Sequence, residues 1–169
     1  MDVLFDQGAL FEGLGEEGVR RLSGIATRRT LEADEYLFLL GDNADHLYLL
    51  TKGKVDLCFP MPLRGVVKDV AVESVGVGQA LGWSALVKPY RFTLSARATK
   101  PSEVVGFSRR DLLDLFEAEP ATGCAFFTKI CEIVGLRLHT FQALWVRELQ
   151  RALETEAQRQ EGASPQPPA

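Results

Sequence analysis

The residues best suited to chemistry lie in a glycine-rich stretch, residues 76–86, and in an arginine that follows it, Arg91. The three glycines of this stretch let the backbone turn sharply and approach a ligand closely. Ser84 is placed to cap a short apolar turn of helix, whose free N–H groups attract an anion, and Arg91 can add charge-assisted hydrogen bonds. This spacing predicts a cradle for a phosphate-bearing small molecule. The alternative is an ordinary glycine-rich turn between two strands.

Short apolar runs surround this stretch, and turn residues separate them. They recur about every 8–12 residues, a spacing that is typical of an antiparallel sandwich or barrel. The runs cover residues 35–40, 46–51, 54–59, 66–72, 92–98 and 103–107. The sequence therefore predicts that the glycine-rich loop interrupts a β-roll.

A framework of glycines and strand residues resembles the cyclic nucleotide-binding domain of the catabolite-activator superfamily, from about residue 10 to about residue 144. The matching residues are Gly41, Asp42, Asp45, Tyr48, Gly53 and Val55, then Gly78, Gly82, Ala85 and Leu86, then Ala98, Glu103 and Val104. The resemblance implies a mainly β fold with flanking helices. Its centre is an eight-stranded antiparallel, jelly-roll-like β-roll with a phosphate-binding loop, short N-terminal helices and a long C-terminal helix.

The resemblance also names the residues expected to contact a ligand, and two of them depart from the family pattern. The expected ligand-binding residues are Gly82, Trp83, Ser84, Ala85, Leu86, Arg91, Phe92 and Thr93. Trp83 stands where the family has a glutamate that accepts from the ribose hydroxyl. Phe92 stands where it has an arginine that pairs with the cyclic phosphate. Neither side chain can replace that chemistry, because an indole N–H only donates and a phenyl ring does neither.

Two residues of the loop leave alternatives open. Arg91 precedes the expected arginine position by one residue, so its side chain either curls back into the pocket or lies on the surface. Trp83 is either a plug of the pocket or a platform on which a base stacks. The loop accordingly binds a different ligand from the family's usual one, or its pocket is filled by Trp83 and Phe92 and binds nothing.

Composition indicates a compact protein that is not an enzyme. The chain has 169 residues, of which 46% are hydrophobic and 25% charged, and its net charge of −4 argues against a nucleic-acid surface. Spacings typical of a metal site or a catalytic triad are absent, so no cofactor is expected apart from a possible cyclic nucleotide or other phosphate-bearing ligand. No apolar run is long enough to span a membrane, and the N-terminus lacks a signal peptide. We therefore expect a cytoplasmic protein.

The C-terminal third predicts a long helix over residues 121–159 with a continuous apolar stripe. A stripe of this length needs a partner, and we expect a homodimer held by residues of the stripe; the alternative is a helix that folds back on its own domain. The expected interface residues are Ile130, Val134, Leu138, Phe141 and Trp145. Cys124 and Cys131 lie seven residues apart on this helix, either as free buried thiols or facing a partner's copies.

These observations divide the chain into a β-roll with its short helices (residues 1–119), a dimerisation helix (120–159) and a disordered tail (160–169). Transcription factors of the superfamily carry a DNA-binding domain after the long helix, and here only the tail follows. We therefore expect a small-molecule-sensing regulatory domain that signals through an unidentified protein partner. The alternative is a dimeric interaction scaffold whose ligand site is degenerate.

Overall fold

A computed structural model describes residues 9–162 and shows the mainly β architecture with flanking helices that the sequence predicts. The order along the chain is a 3₁₀ turn (Ala9–Phe11), α1 (Gly15–Gly24), β1 (Ala26–Leu31), β2 (Tyr36–Phe38), β3 (His46–Leu63), β4 (Val66–Val75), β5 (Ala80–Leu81), a 3₁₀ turn (Trp83–Leu86), β6 (Ser95–Ser108), α2 (Arg109–Ala118) and α3 (Pro120–Gly162). The predicted helix over residues 121–159 is present. Residues 160–162, which the sequence analysis assigned to a disordered tail, belong to α3. The rest of the predicted tail, residues 163–169, lies outside the described residues, as do residues 1–8.

All strands pair antiparallel in one sheet, in the order β1-β6-β3-β4, with β2 beside β6 and β5 beside β3. The described residues contain six strands, although the resemblance implied eight. The difference arises because β3 and β6 continue through positions that look like turns in the sequence. At Gly53 the backbone has φ +90° and the β3–β6 register shifts, yet the strand goes on. A side chain there would lie 2.6 Å from the Pro101 carbonyl oxygen.

The core of the roll lies between the curved halves of this sheet. Its inner face is set by alternation, since Val55 and Leu57 of β3 pair with Ala98 and Ala96 of β6 and all four are buried. The small alanines beside the larger side chains leave space in this layer for other residues of the core. The same layer includes Ala85 of the 3₁₀ turn, so the glycine-rich loop is anchored in the core.

The helices after β6 begin where the sequence signals them. The Ser108 hydroxyl accepts from the Asp111 N–H at 3.4 Å and caps α2. Pro120 opens α3, where its missing N–H costs nothing. At Gly123 an added Cβ would lie 2.8 Å from the Cβ of Phe116, so α2 and α3 cross closely there.

The chain divides after Ile130 into two compact units, Met1–Ile130 and Cys131–Ala169. The first unit thus contains the first part of α3, beyond the predicted boundary at residues 119 and 120. Phe126 and Ile130 explain the difference, because both are buried in this unit. Among the described helices, none has the combination of length and apolar character that a membrane crossing needs.

Candidate functional site

The glycine-rich loop keeps the backbone of a ligand cradle. Gly82 adopts φ +79°, and its missing side chain leaves room for neighbours, since a Cβ would lie 3.0 Å from the His46 carbonyl oxygen and 3.2 Å from the Phe92 ring. The residue that precedes the 3₁₀ turn is Gly82, and no side chain caps the turn. The cap predicted at Ser84 was therefore wrong. Ser84 lies inside the turn and is buried, as is Ala85.

Phe92 is an integral part of the packed core. It is 6% exposed, and its ring stacks on Phe38 with centroids 3.7 Å apart and planes inclined by 9°. One ring atom, Cε1, lies 3.2 Å from the place that a Cβ on Gly82 would occupy. The space beside the loop glycine is therefore filled by a phenyl ring.

The Arg91 side chain lies on the surface of the protein. Its side chain is exposed, and Nη1 donates to the Gly41 carbonyl oxygen at 2.7 Å, while its backbone forms an isolated bridge with Asn43. The one-residue offset between Arg91 and Phe92 sends the two side chains in different directions, as expected in extended backbone. The guanidinium thus forms its hydrogen bond with the loop formed by residues 41–45.

The remaining predicted ligand residues differ in their exposure to solvent. Trp83 and Leu86 are half-buried, whereas Thr93 is exposed. The structure therefore brings Gly82 and Phe92 into contact and places Ser84 and Ala85 in the core, with Arg91 and Thr93 on the surface.

A cavity of about 230 Å³ lies next to Phe92, on the side of the loop formed by residues 41–45. Its lining consists of Leu37, Phe38, Asp42, Asn43, Asp45, His46, Tyr48 and Phe92. The sequence analysis singled out only Phe92 among these as a ligand residue. Asp42, Asp45 and Tyr48 were identified as part of the fold framework, and their spacing carried no signal that they share a cavity.

The charges around this cavity do not favour a phosphate. Asp42 and Asp45 both line it, and the nearby guanidinium of Arg109 is already paired with Asp45 at 3.0 Å. Arg109 also lies over the Tyr90 ring, 4.4 Å from its centroid. Burial raises the pKa of the Tyr48 hydroxyl, so this cavity residue stays neutral at physiological pH.

Comparison with known proteins identifies the family. The model of the cyclic nucleotide-binding domain matches residues 28–119, which is more than half of the 169-residue chain. The chain belongs to the cyclic nucleotide-binding domain family.

Relatives in this family agree with the fold. The cyclic AMP receptor protein of Thermus thermophilus is 32% identical over 111 residues, which cover 66% of this chain and 50% of that protein. The chain thus spans half the length of this relative. A putative cyclic nucleotide-binding protein from Geobacter metallireducens has a TM-score of 0.65 at 32% identity, covering 77% of this chain and 92% of that one. The Thermus thermophilus catabolite activator protein has a TM-score of 0.68 at 26% identity, and the match covers 85% of this chain and 63% of that one.

The structure shows the surroundings of Trp83 and Phe92, the two residues that depart from the pattern of the cyclic nucleotide-binding domain family. Of the framework residues, Gly82 has a positive φ of +79° and Ala85 is fully buried. The position where the family resemblance implies a phosphate-binding arginine holds the ring stacked on Phe38. A buried phenyl ring therefore occupies the position of the expected arginine.

Proposed function

We propose that this chain is a regulatory domain that senses a small molecule other than a cyclic nucleotide and passes the signal to a protein partner. One observation carries the proposal. Phe92 is buried against Phe38 where a guanidinium would be needed, and the preceding residue, Arg91, donates to the Gly41 carbonyl oxygen instead. The proposal assigns no catalytic reaction to the chain, and cytoplasmic residence stays a prediction.

The expected loss of affinity for cyclic nucleotides follows from the missing ion pair between an arginine and the cyclic phosphate. A charge-assisted hydrogen bond is worth about 1.5–3 kcal/mol, or roughly one to two decades in the dissociation constant. The ribose hydroxyl also lacks its acceptor because Trp83 only donates. We expect dissociation constants at or above about 100 μM for cyclic AMP and cyclic GMP, which corresponds to about −5.5 kcal/mol.

Calorimetric titration of the wild-type chain with both nucleotides tests this expectation. The variant Trp83→Glu/Phe92→Arg should gain affinity, because the loop framework is retained. A matched variant, Trp83→Glu/Phe92→Leu, removes the plug without supplying the guanidinium and should gain little. Sub-micromolar binding by the wild type would overturn the proposal.

A second candidate function is a ligand-free interaction scaffold. The observation that favours it is the separation of 3.7 Å between the Phe92 and Phe38 ring centroids, together with the closeness of the Phe92 ring to Gly82. A thermal-shift screen with nucleotides, sugar phosphates and carboxylic acids separates the two functions. Stabilisation by one compound class that is lost in Gly82→Val supports sensing, whereas no stabilisation by any compound supports the scaffold.

We further propose that the chain forms a homodimer through α3. Leu138 and Trp145 are 54% and 67% exposed, and burying a large apolar side chain contributes about 1.5–3 kcal/mol. Val134 and Phe141 lie on the same stripe. Ile130, which the sequence analysis also placed in the interface, is 4% exposed and already buried in the first unit. The interface proposed here therefore excludes it.

Light scattering at micromolar concentration tests the dimer. Leu138→Glu/Trp145→Glu should dissociate it without unfolding the β-roll. The control variant Leu136→Glu changes a residue of α3 that is 71% exposed but lies off the stripe, and it should remain dimeric. A monomeric wild type, or equal dissociation by both variants, would contradict the proposed interface.

A further inference from the structure

The hairpin formed by β3 and β4 extends beyond the rest of the sheet. β6 pairs with β3 only as far as Cys58, whereas β4 pairs with β3 as far as Leu63. The turn between the two strands consists of Arg64 and Gly65, and both have positive φ, as a tight two-residue hairpin turn requires. Residues 59–70 therefore form a two-stranded projection, which we call the β3–β4 finger.

Both faces of the β3–β4 finger expose apolar side chains. Successive residues of a strand point to opposite faces, so the register of the two strands assigns each residue to one face. One face carries Phe59, Met61, Leu63 and Val66, which are 41–59% exposed, and the other carries Pro62 and Val67, of which Val67 is 68% exposed. A flat protein surface would cover one face and leave the other in water, whereas the interfacial layer of a membrane surrounds both.

The charge of the finger is opposite to that of the whole chain. The chain has a net charge of −4, but residues 57–68 contain two cations, Arg64 and Lys68, and no acidic residue. Both cationic side chains are exposed. Basic side chains close to an anionic lipid leaflet are attracted to it. The charge of the finger is therefore complementary to an anionic membrane, although that of the whole chain is not.

The two carboxylates nearest to the tip lie at the base of the finger and are hydrogen-bonded there. Asp56 accepts from the Ser74 hydroxyl at 2.6 Å, and Asp69 accepts from the Tyr36 hydroxyl at 2.5 Å. Asp69 is three residues from the end of β4 at the tip, which is about 10 Å along the strand. Negative charge is thus held away from the part of the finger that would meet a lipid surface.

We propose that the tip of the finger enters the interfacial layer of an anionic lipid membrane. Leu63, Val66 and Val67 then lie among the upper parts of the acyl chains, and Arg64 and Lys68 reach the lipid phosphate groups with their long side chains. An insertion of about 5–10 Å, the depth typical of interfacial segments, corresponds to two or three residues of each strand at about 3.3 Å per residue. This contact needs no membrane-spanning segment and is independent of the ligand and the dimer proposed above.

Two prolines make the backbone of the finger suited to this position. Pro60 and Pro62 lie at alternate positions of β3, so their missing N–H groups leave the same edge of the strand without donors. Proline is tolerated in a sheet where its nitrogen faces away from the neighbouring strand, so this edge is the open one. Unpaired backbone donors are costly in an apolar layer, and the open edge of β3 presents fewer of them. The same edge is also a poor template for pairing with a further strand.

The test is co-sedimentation of the full chain with vesicles of phosphatidylcholine alone and with vesicles in which phosphatidylglycerol makes up about one third of the lipid. We expect binding to the anionic vesicles that weakens with added salt, and binding to the neutral vesicles that is weaker by about tenfold or more. Arg64→Gln/Lys68→Gln should lower the partition coefficient for anionic vesicles about 25-fold, because each cation at such a surface contributes about fivefold. The control Lys88→Gln/Lys100→Gln removes two exposed cations outside the finger and should lower it by less than about threefold.

The apolar contribution is tested by Leu63→Ser/Val66→Ser, which should lower binding to anionic vesicles by more than about tenfold, because the tip loses most of its apolar surface. The matched control Leu113→Ser/Val77→Ser changes the same residue types at positions outside the finger that are 43% and 52% exposed, and it should bind like the wild type. Urea unfolding checks that each variant keeps the wild-type midpoint.

Three results would overturn the proposed membrane contact. The first is a wild-type chain that does not sediment with anionic vesicles at low ionic strength. The second is an equal loss of binding in Leu63→Ser/Val66→Ser and in its control. The third is dissociation of a dimer by Leu63→Ser/Val66→Ser in light scattering, which would assign the finger to a contact between two copies of the chain.

Discussion

Replacing Phe92 by alanine measures whether this residue is a structural plug. In the wild type the ring is 6% exposed, stacks on Phe38 at 3.7 Å and lies against Gly82. Truncation of a buried phenylalanine to alanine costs about 3–5 kcal/mol, the sum of lost transfer energy and the cavity left behind. Phe92 lies at the edge of the core beside an existing cavity, so the surroundings can relax, and we expect the low end, about 3 kcal/mol.

The assay is urea unfolding followed by intrinsic fluorescence. With an m-value of about 2 kcal/mol per molar, a loss of about 3 kcal/mol lowers the midpoint by about 1.5 M. Phe59→Ala is the matched control, because the same change is made at a side chain that is 44% exposed on β3. It should lower the midpoint by less than about 0.5 M.

Equal midpoints for the two variants would refute the reasoning. Such a result would mean that Phe92 contributes no more to the core than a surface residue does. The side chain would then be free to move aside for a ligand, and the interpretation of Phe92 as a structural plug would be wrong.

Other perturbations have expected outcomes that follow from single contacts. Gly53→Ala should lower the free energy of unfolding by about 2–4 kcal/mol, and Gly65→Ala by about 1 kcal/mol, as measured by urea unfolding. Both positions have positive φ, but of the two only Gly53 lacks space for a Cβ. Similar losses of stability in the two variants would contradict this account. Because burial raises the folded-state pKa of Tyr48, stability is fully present below the unfolded pKa of about 10 and should fall as pH rises through the folded value. Unfolding measured between pH 8 and 11 should show a weaker decline in Tyr48→Phe, and an unchanged decline would contradict the assignment. Arg91→Ala should leave cyclic nucleotide affinity unchanged, because the guanidinium binds Gly41, and a tenfold loss in calorimetry would place it in the pocket.

The sequence predicted the fold well because its signals were local. Alternating apolar runs and the framework glycines predicted the sheet, and Pro120 after a short amphipathic helix predicted where α3 begins. The strand count was harder to predict. A glycine such as Gly53 looks like a turn residue in the sequence, but in the structure it forms an irregularity within a continuing strand. The Ser102 hydroxyl oxygen there accepts a hydrogen bond from the Lys54 N–H at 3.1 Å.

The candidate site was predicted only in part because its members come together through long-range contacts. Phe92 meets Phe38 from a strand 54 positions earlier, and nothing in the local pattern of either residue indicates a stack. The direction of Arg91 depends on an isolated bridge to Asn43. The burial of Ile130 likewise depends on the packing of α3 on its own unit, which helical periodicity alone cannot distinguish from packing on a partner.

The position of β6 in the sheet has a consequence for synthesis on the ribosome. β1 pairs only with β6 in the described sheet, and Leu31 meets Ser102 while Ala26 meets Phe107. A growing chain must therefore add about 75 residues after β1 before its pairing edge has a partner, which takes about 4–15 s at 5–20 residues per second. During this interval the first strand leaves the ribosome without its neighbour. Its backbone N–H and C=O groups stay available for pairing with another strand until β6 emerges.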